Sequence, residues 1–273
     1  AKKCASGDGT VSNPYIISNG AELRYFADEI TNGENFYNKY IDISDDIYLN
    51  DVTNYSEWSK SQSPQNIWEP IGGNFAGTLD GNGHSIVGVY INSNEDKTGF
   101  FRELSLNSIP TIKNIQLKNI FVAGESQTGG LVGHATFLDC TNVTVMGKIS
   151  GKDSVGGFVG DGVGRRITGP INFVNCSNYA SVEGKENKVG GIIGNYSNSG
   201  STNDKLLINN CRNSGSVSGN EFVGGLGGCF IAETDSQGIM VSKSINEGTI
   251  GGCSKIGGII GEIDSNMKTF EIS

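Results

Sequence analysis

One short phrase recurs five times in the second half of the sequence, at residues 129–133, 156–160, 190–194, 224–228 and 257–261. Each copy begins with two glycines, continues with one or two apolar residues and ends on glycine. Successive copies begin 27, 34, 34 and 33 residues apart, a period typical of stacked units that cannot bury their apolar faces alone. The sequence therefore predicts a repeat protein, whose structural glycine pairs are Gly129 and Gly130, Gly156 and Gly157, Gly190 and Gly191, Gly224 and Gly225, and Gly257 and Gly258.

Each unit also contains three short segments with the alternation of a β-strand. In the unit that ends with the third phrase, these segments are residues 171–176, 180–184 and 189–194. Clusters of Asn, Ser and Gly separate them, and these residue types favour tight turns. Helical repeats of this length would need apolar residues at i, i+3, i+4 and i+7, which the units lack. We therefore expect an all-β fold, a parallel β-helix, with equivalent residues of neighbouring coils about 4.8 Å apart.

The paired glycines have a structural explanation, because a coil without Cβ atoms can turn sharply or let a facing sheet approach. A phosphate-binding loop would need a helix directly after the glycines, and the sequence shows none. No segment approaches the roughly 18 consecutive apolar residues of a spanning helix, so no transmembrane segment is expected. The net charge of −9 and the pI near 4.8 predict that the chain does not bind nucleic acid.

The chain is expected to form a single β-helix domain over residues 1–273. Residues 1–67 are interpreted as an N-terminal cap and the first coils, residues 68–128 as transition coils, and residues 129–273 as the regular Gly-Gly repeats. In the cap, residues 18–30 predict a helix with Ser18 or Asn19 capping its first amides. Such a helix, laid over the open end of the solenoid, would cover unpaired strand groups and the core. Its apolar face would consist of Leu23, Phe26, Ala27 and Ile30.

Three of the six cysteines occupy what looks like one repeated position. Cys140, Cys176 and Cys211 take it in consecutive units, and Ser244 takes it in the next unit. A position that accepts Cys or Ser is most simply a small buried side chain, so we expect stacked thiols. A disulfide among them, or a metal site, stays an alternative, although the sequence has no Cys-x-x-Cys pair. The sequence leaves open the pairing of the other three, Cys4, Cys229 and Cys253.

Aromatic residues concentrate before residue 100, which indicates where a partner would bind. Tyr55 and Trp58 lie in a polar stretch that is predicted to be a long loop, and flat rings with a polar tip suit protein or sugar surfaces. We predict Tyr55 and Trp58 as a contact surface. Packing of the two rings within the cap is the other interpretation.

An enzymatic site is difficult to identify in this sequence. Parallel β-helices host pectin-degrading enzymes and polysaccharide lyases, and the turn from Leu79 to His84 resembles a segment of those proteins. Glycoside hydrolysis needs two carboxylates about 5–10 Å apart, but the only adjacent aspartates, Asp45 and Asp46, would point to opposite faces of a strand. Asp80 more simply fixes its own turn. No cofactor is expected, with calcium on turn Asp and Asn oxygens as the alternative.

Residues 68–86 read Trp-Glu-Pro-Ile-Gly-Gly-Asn-Phe-Ala-Gly-Thr-Leu-Asp-Gly-Asn-Gly-His-Ser-Ile, and residues 14–18 read Pro-Tyr-Ile-Ile-Ser. Together with the five Gly-Gly phrases, these segments resemble the GLUG-motif proteins of bacterial cell surfaces, a pattern also found beside the catalytic region of some bacterial IgA proteases. The resemblance covers nearly the whole chain. It implies a right-handed β-helix, export from the cell, and attachment or adhesion.

The resulting hypothesis is a non-catalytic β-helix module that is secreted or held at a bacterial cell surface, with a lipid or wall anchor as one means of attachment, and acts in adhesion, in ligand binding or as a rigid spacer. Its expected partner is a host or bacterial surface protein or a glycan, and it is expected to be part of a larger surface protein. The alternative is a carbohydrate-active enzyme, a polysaccharide lyase or glycoside hydrolase, with an unrecognised site. A groove with clustered outward carboxylates and a basic residue would favour the enzyme.

Overall fold

The computed structural model describes residues 6–105, 108–164, 169–198, 205–232, 238–265 and 270–272. Across these residues the chain is almost entirely β-structure, with one α-helix and one short 3-10 helix. The predicted all-β fold is confirmed.

The elements before the regular repeats are short and include the helix. They are β1 (Tyr15–Ile17), α1 (Gly20–Thr31), β2 (Tyr40–Ile43), β3 (Ile47–Tyr48), the 3-10 helix (Tyr55–Glu57), β4 (Thr78–Asp80), β5 (Ser85–Val87), β6 (Tyr90–Asn92) and β7 (Phe101–Leu104). The first repeats contain β8 (Thr111–Ala123), β9 (Thr128–Gly129), β10 (Val132–Ala135), β11 (Leu138–Gly151), β12 (Val155–Gly156) and β13 (Val159–Gly164). Of these, β8 and β11 are the two long strands.

The later repeats consist of short strands in a constant order. They are β14 (Ile171–Val174), β15 (Ser177–Asn178), β16 (Ser181–Gly184), β17 (Asn187–Gly190), β18 (Ile193–Asn198), β19 (Leu206–Asn209), β20 (Arg212–Asn213), β21 (Val217–Ser218), β22 (Glu221–Gly224) and β23 (Gly227–Ala232). The final ones are β24 (Ile239–Ser242), β25 (Ile245–Asn246), β26 (Ile250–Gly251), β27 (Ser254–Gly257), β28 (Ile260–Ser265) and β29 (Phe270–Ile272).

The strands stack in parallel, winding upon winding. The longest column runs through β1, β2, β4, β8, β11, β14, β19, β24 and β29, and every adjacent pair in it is parallel. Each of these strands lies one winding further along the chain than its neighbour, so the connections between them are complete turns of a solenoid. The parallel β-helix predicted from the repeat period is confirmed.

A regular winding contains five strand segments, where the sequence predicted three. In the winding that begins with β14, the predicted first strand at residues 171–176 forms β14, the unpredicted strand β15 follows it, and the predicted third strand at residues 189–194 divides into β17 and β18. The segments β17 and β18 belong to different sheets, one of five strands and one of six. The prediction of one continuous third strand was wrong, because the chain turns a corner at Gly191, within the Gly-Gly phrase.

The glycines of the phrase allow two backbones to approach each other at this corner. A Cβ on Gly194, in the six-stranded sheet, would lie 2.5 Å from the backbone nitrogen of Val155, in the five-stranded sheet of the previous winding. A Cβ on Gly191 would overlap the carbonyl oxygen of Gly225 in the next winding and come within 2.5 Å of the Asn213 side chain. Real Cβ atoms do not approach backbone atoms this closely, so the positions require glycine.

The helix α1 follows β1 and covers the core of the first windings. Asn19 caps it, because its side-chain oxygen accepts hydrogen bonds from the amides of Ala21 and Glu22 at 3.1 Å. The predicted apolar face is buried, and Phe26 packs against the rings of Phe36 and Phe75. The predicted capping helix is therefore confirmed, and Ile17 in the first strand of the column is fully buried in the same core cluster as the helix face.

An outer ladder of asparagines follows one corner of the windings. Asn114, Asn142, Asn175 and Asn210 all adopt a left-handed backbone, with φ between 52° and 55°, a conformation that Asn tolerates better than most residues. Each amide nitrogen from Asn142 onward donates to the amide oxygen of the preceding member, at 2.9, 3.1 and 2.7 Å. The ladder is exposed to solvent, so its main contribution is to fix the turn.

An inner ladder of asparagines lies inside the solenoid. Asn178 and Asn213 are fully buried, and their Nδ2 atoms donate to Asn213 and Asn246 respectively, each at 2.7 Å. Each of the three Nδ2 atoms also donates to the carbonyl oxygen two residues later, at 2.9 to 3.0 Å. The buried amides are thus paired with one another and with their own turns, as burial in an apolar interior requires.

We expect Gly191→Ala to lower the free energy of unfolding by about 1–3 kcal/mol or more, because the new methyl group must displace backbone as well as a buried side chain. Gly251→Ala is the matched control, since a Cβ there meets nothing within 4 Å. Urea unfolding followed by far-ultraviolet circular dichroism measures both variants. Equal stability of the two variants would contradict the close approach at the corner.

We expect Asn213→Ala to cost about 2–3 kcal/mol of stability, because it leaves the buried carbonyl oxygen of Gly215 and the half-buried amide oxygen of Asn246 without their donor. The control is Asn175→Gly in the outer ladder, which preserves the left-handed backbone and removes only solvent-exposed amide contacts. The same urea titration compares them. A larger loss for Asn175→Gly than for Asn213→Ala would show that burial does not decide the contribution of these ladders.

Candidate functional site

Tyr55 and Trp58 lie in an excursion of the chain that folds back onto the outer face of the solenoid. Trp58 is only 6% exposed and packs with Tyr90 and Phe121 in a small apolar cluster. The Tyr55 and Trp58 ring centroids are 5.2 Å apart, and those of Trp58 and Tyr90 are 5.9 Å apart. The Tyr55 hydroxyl donates to the carbonyl oxygen of Ile120 at 2.8 Å.

Both rings therefore pack within the fold. Packing was the alternative to a contact surface in the interpretation of this segment. Burial raises the pKa of Tyr55, so its hydroxyl stays protonated and keeps its bond to the backbone. Lys148 adds a further attachment, donating to the carbonyl oxygen of Ser56 at 2.9 Å. A contact surface that uses Tyr55 and Trp58 stays a prediction, and the Trp58 ring would have to leave its cluster to contribute a full face.

The thiols are buried, but their register differs from the predicted one. Backbone pairing places Cys140 beside Phe173, whereas the residues that surround Cys176 pair with those that surround Val143 and Cys211. The repeated position thus reads Val143, Cys176, Cys211 and Ser244, and the placement of Cys140 in that column was wrong. The reason is the left-handed Asn142, which lets Cys140 and Val143, three residues apart, both point inward.

Cys140 nevertheless reaches its predicted neighbour through the side chain. Its Sγ lies 3.7 Å from the Sγ of Cys176, and the Cys176 thiol also donates to the carbonyl oxygen of Cys140 at 3.4 Å. Burial and the neighbouring thiol raise the pKa of Cys176, and the thiol of Cys176 together with burial raises that of Cys211. The thiolate is the reactive form of cysteine, so Cys176 and Cys211 are weak nucleophiles. Of the cysteines left open by the sequence, Cys229 is buried, Cys253 is exposed, and Cys4 lies outside the described residues.

A column of polar side chains on the six-stranded sheet is the most distinctive polar feature of the described residues. Its members pair in register from β7 to β28, and four of them are at least nine-tenths buried, namely His134, Asp161, Asn195 and Cys229. The outer members are less buried, so the column is closed in the middle and open at its ends. The full column is Glu103, His134, Asp161, Asn195, Cys229 and Glu262.

Asp161 is the centre of this polar column. Its Oδ1 accepts a hydrogen bond from Asn195 at 2.7 Å, and its Oδ2 accepts one from Gln127 at 2.8 Å and lies 3.0 Å from Nδ1 of His134. Both carboxylate oxygens are thus engaged in a buried network. Because both oxygens are engaged and the side chain is 6% exposed, a substrate cannot readily approach this carboxylate.

The column ends in ion pairs at the surface. Lys97 lies 2.7 Å from Glu103, and Lys255 lies 3.4 Å from Glu262. Burial tends to raise the pKa of Glu103, but hydrogen bonds from Lys97 and Ser105 outweigh it and leave the pKa below its usual value. Burial raises the pKa of the Cys229 thiol, so Cys229 is a neutral member of the column.

At the turn that contains Asp80 and His84, the described side-chain contacts are structural. Asp80 Oδ1 accepts hydrogen bonds from the amide of Asn82 and from the side chain of Asn114, at 2.9 and 3.0 Å, while Lys113 lies 3.0 Å from Oδ2. His84 Nδ1 lies 3.5 Å from Asp46. These contacts fix the turn, as the sequence suggested for Asp80.

Within the described ranges, no group of three or more His, Cys, Asp and Glu side chains is arranged to hold a metal ion. Calcium bound by amide and carbonyl oxygens stays untested. In the same part of the chain, no helix is long and apolar enough to cross a membrane.

The sequence contains a signal for the polar column that the repeat analysis missed. In every copy of the phrase, the residue directly after the last glycine is polar or a cysteine: His134, Asp161, Asn195, Cys229 and Glu262. Their chemical types differ, so the position does not register as a motif. Only the stacking of the windings shows that they are neighbours.

Comparison with known proteins gives relatives among bacterial surface proteins. No protein-family model matches the chain. The chain is 26% identical over 190 residues to the immunoglobulin A1 protease of Streptococcus sanguinis, covering 69% of this chain and 9% of that protein. It is 33% identical over 138 residues to a "Putative Gly-rich membrane protein" of Evansella cellulosilytica, covering 48% of this chain and 14% of that protein. It therefore spans only a small part of the length of these relatives.

A crystal structure from Bacteroides ovatus, named as a "putative immunoglobulin A1 protease", shares the fold. It superposes with a TM-score of 0.68 over 98% of this chain and 79% of that chain, at 21% sequence identity. At this identity the similarity shows the fold alone. The relationship to IgA protease-like proteins that the sequence indicated is thus found, whereas assignment to the GLUG-motif proteins stays a proposal.

We expect native Cys4→Ser protein to react rapidly with a maleimide at Cys253 alone, because Cys140, Cys176, Cys211 and Cys229 are buried. After unfolding without a reducing agent, all five remaining cysteines should react, since the structure holds them as free thiols. Mass spectrometry of the labelled peptides counts both sets. A count of three or fewer in the unfolded, unreduced protein would indicate a disulfide and contradict the free-thiol arrangement.

We expect Asp161→Asn to lower the free energy of unfolding by about 3 kcal/mol. The new side-chain amide nitrogen is a hydrogen-bond donor, and it would face another donor at a position where the carboxylate oxygen accepts a hydrogen bond. Asp153→Asn is the control, since Asp153 is more exposed and lies 3.9 Å from its partner Lys188; it should cost about 1 kcal/mol or less. Chemical unfolding at pH 7 compares the two. A cost for Asp161→Asn no larger than that of the control would contradict a structural role for the network.

Proposed function

We propose that this chain is a non-catalytic, rigid β-solenoid module of a larger bacterial surface protein, which holds other parts of that protein at a fixed separation. The observation that carries the proposal is the unbroken parallel column of nine strands, from β1 to β29. Eight steps of about 4.8 Å give this column a length of about 40 Å. The relatives support the setting, because the chain matches only 9% and 14% of the length of two of them.

Stiffness follows from how each winding contacts the next one. In a solenoid each unit contacts only its neighbours, so bending is resisted by the interface between consecutive windings. Here that interface contains backbone hydrogen bonds, a continuous apolar core, the inner asparagine ladder and the glycine corner. Flexing between windings would strain all of these at once.

The polar column supports a non-catalytic role. Its acidic members and Lys97 are the groups that a carbohydrate-active enzyme would need on one flank. The Asp161 carboxylate is, however, 6% exposed and already accepts bonds on both oxygens. Glycosidases place two carboxyl groups on either side of an accessible sugar bond. The engagement of Asp161 therefore favours a structural use of this column over the enzyme.

We propose that the module is exported and held at the bacterial surface, and that it is one of the GLUG-motif proteins. The repeated glycine phrase and the segment at residues 68–86 support this assignment. Adhesion to a host or bacterial surface protein or glycan would then be a property of particular exposed side chains on the rod rather than of the windings themselves.

Paired spin labels test the rigidity. Tyr48 in β3 and Ile245 in β25 are both exposed and lie six windings apart in one column of strands. In a Cys4→Ser, Cys253→Ser background, labels at Tyr48→Cys and Ile245→Cys should give one narrow distance distribution near 30 Å. A broad distribution or several maxima would contradict the rigid module.

A second assay tests the absence of catalysis. Incubation of the wild-type chain with a panel of pectins, glycosaminoglycans and β-glucans should release no new reducing ends and no unsaturated sugar absorbing near 235 nm. Release by the wild type that Asp161→Asn abolishes, while the variant stays folded, would establish the enzyme in place of the spacer.

A further inference from the structure

A cavity of about 500 Å³ lies at the N-terminal cap, where residues before β1 meet the helix α1 and the loop after it. This volume is within the range of roughly 300–1,000 Å³ that small-molecule sites occupy. Three aromatic rings and three carboxylate side chains line it, namely Tyr15, Tyr25, Phe36, Asp8, Glu29 and Glu34. We propose that this cavity binds an alkylammonium group.

The packing of the fold holds the aromatic side of the cavity in place. Phe36 is 7% exposed and packs edge-on against Tyr15, with ring centroids 6.1 Å apart, and against Phe26 of α1 at 5.1 Å. Tyr15 lies in β1, which pairs with β2 throughout its length. Tyr25 and Glu29 lie one turn apart on α1 and so share a helix face. The site is therefore formed before any ligand arrives.

The carboxylates give the cavity a negative charge. Asp8, Glu29 and Glu34 outnumber the one lysine of the cavity wall, Lys39. Hydrogen bonds from the side chain and the amide of Thr10 lower the pKa of Asp8, so Asp8 stays ionised. Glu34 accepts a bond from the amide of Phe36 at 2.9 Å. In the described part of the chain, the Glu29 carboxylate has neither an ion pair nor a hydrogen bond, so it is available to a ligand.

The protein itself already places one ammonium group at this wall. The Lys39 Nζ lies 5.9 Å from the centroid of the Tyr15 ring and donates to the carbonyl oxygen of Asp8 at 3.0 Å. Aromatic faces attract cations because the ring quadrupole is negative above its plane. Rings with nearby carboxylates thus favour a cation over a neutral sugar, which would gain nothing from the charge. This inference is independent of the spacer role, because the rod could be rigid with or without an occupied cap.

Three small probes test the proposal: choline, its neutral isostere 3,3-dimethylbutan-1-ol, and Nα-acetyl-lysine methylamide. Chemical shifts of the tyrosine rings, followed by NMR during titration of the wild-type chain, measure each affinity. We expect millimolar or tighter binding of at least one cation and at least tenfold weaker binding of the neutral alcohol. Choline binding alone would identify a quaternary headgroup, and lysine-derivative binding alone would identify a basic peptide side chain. Absence of binding by both cations at 20 mM, or equal binding of the alcohol, would overturn the proposal.

Matched variants locate the site. Glu29→Gln removes a carboxylate of the cavity, whereas Asp28→Asn removes the same charge from the neighbouring helix position, which does not line the cavity. Glu29→Gln should weaken cation binding at least threefold and Asp28→Asn less than 1.5-fold, with unchanged helix signal in circular dichroism. Equal weakening by the two variants would mean that the cation responds only to net charge, and the assigned cavity would be wrong. Tyr25→Leu is a second test, expected to weaken choline binding more than binding of the alcohol.

Discussion

The close approach of two backbones at the Gly-Gly corner is the constraint on which the rest of the structure depends. Where the five-stranded and six-stranded sheets meet, a Cβ on the last glycine of a phrase would strike the backbone of the previous winding. In the second and third phrases, a Cβ on the second glycine, Gly157 or Gly191, would strike the next winding and a buried asparagine. The corner sets the path of each winding and so determines which residues become neighbours. Both the polar column and the inner ladder lie where they do because this corner has no side chains.

The two asparagine ladders have different physical roles although they use the same contact. The outer ladder is exposed, and its left-handed backbones fix a turn that most residues adopt only with strain. The inner ladder is buried, so each amide must be fully paired to avoid the cost of an unsatisfied polar group. Its members donate toward the carboxyl-terminal windings, whereas those of the outer ladder donate toward the amino-terminal ones. The side-chain dipoles of the two ladders therefore oppose each other.

The sequence was sufficient for the repeat, the parallel stacking and the capping helix, because these depend on spacing and on local apolar patterns. It was insufficient wherever the backbone leaves regular geometry. The left-handed Asn142 changed the alignment of Cys140, and the corner at Gly191 divided one expected strand between two sheets. The polar column was missed because its members occupy the same position in successive windings but differ in residue type. The cavity at the cap joins residues from β1, α1 and the next loop, which no repeat period connects.

The inner ladder has a consequence for how such a protein can change in length during evolution. Asn178, Asn213 and Asn246 present the same amide in the same register, so the loss of the winding that carries Asn213 would bring Asn178 and Asn246 together as equivalent partners. Duplication of a winding would likewise insert one more identical link. Unequal recombination between repeats can thus add or remove whole windings without leaving a mismatched interior, provided that the exchange keeps the phase of the asparagine.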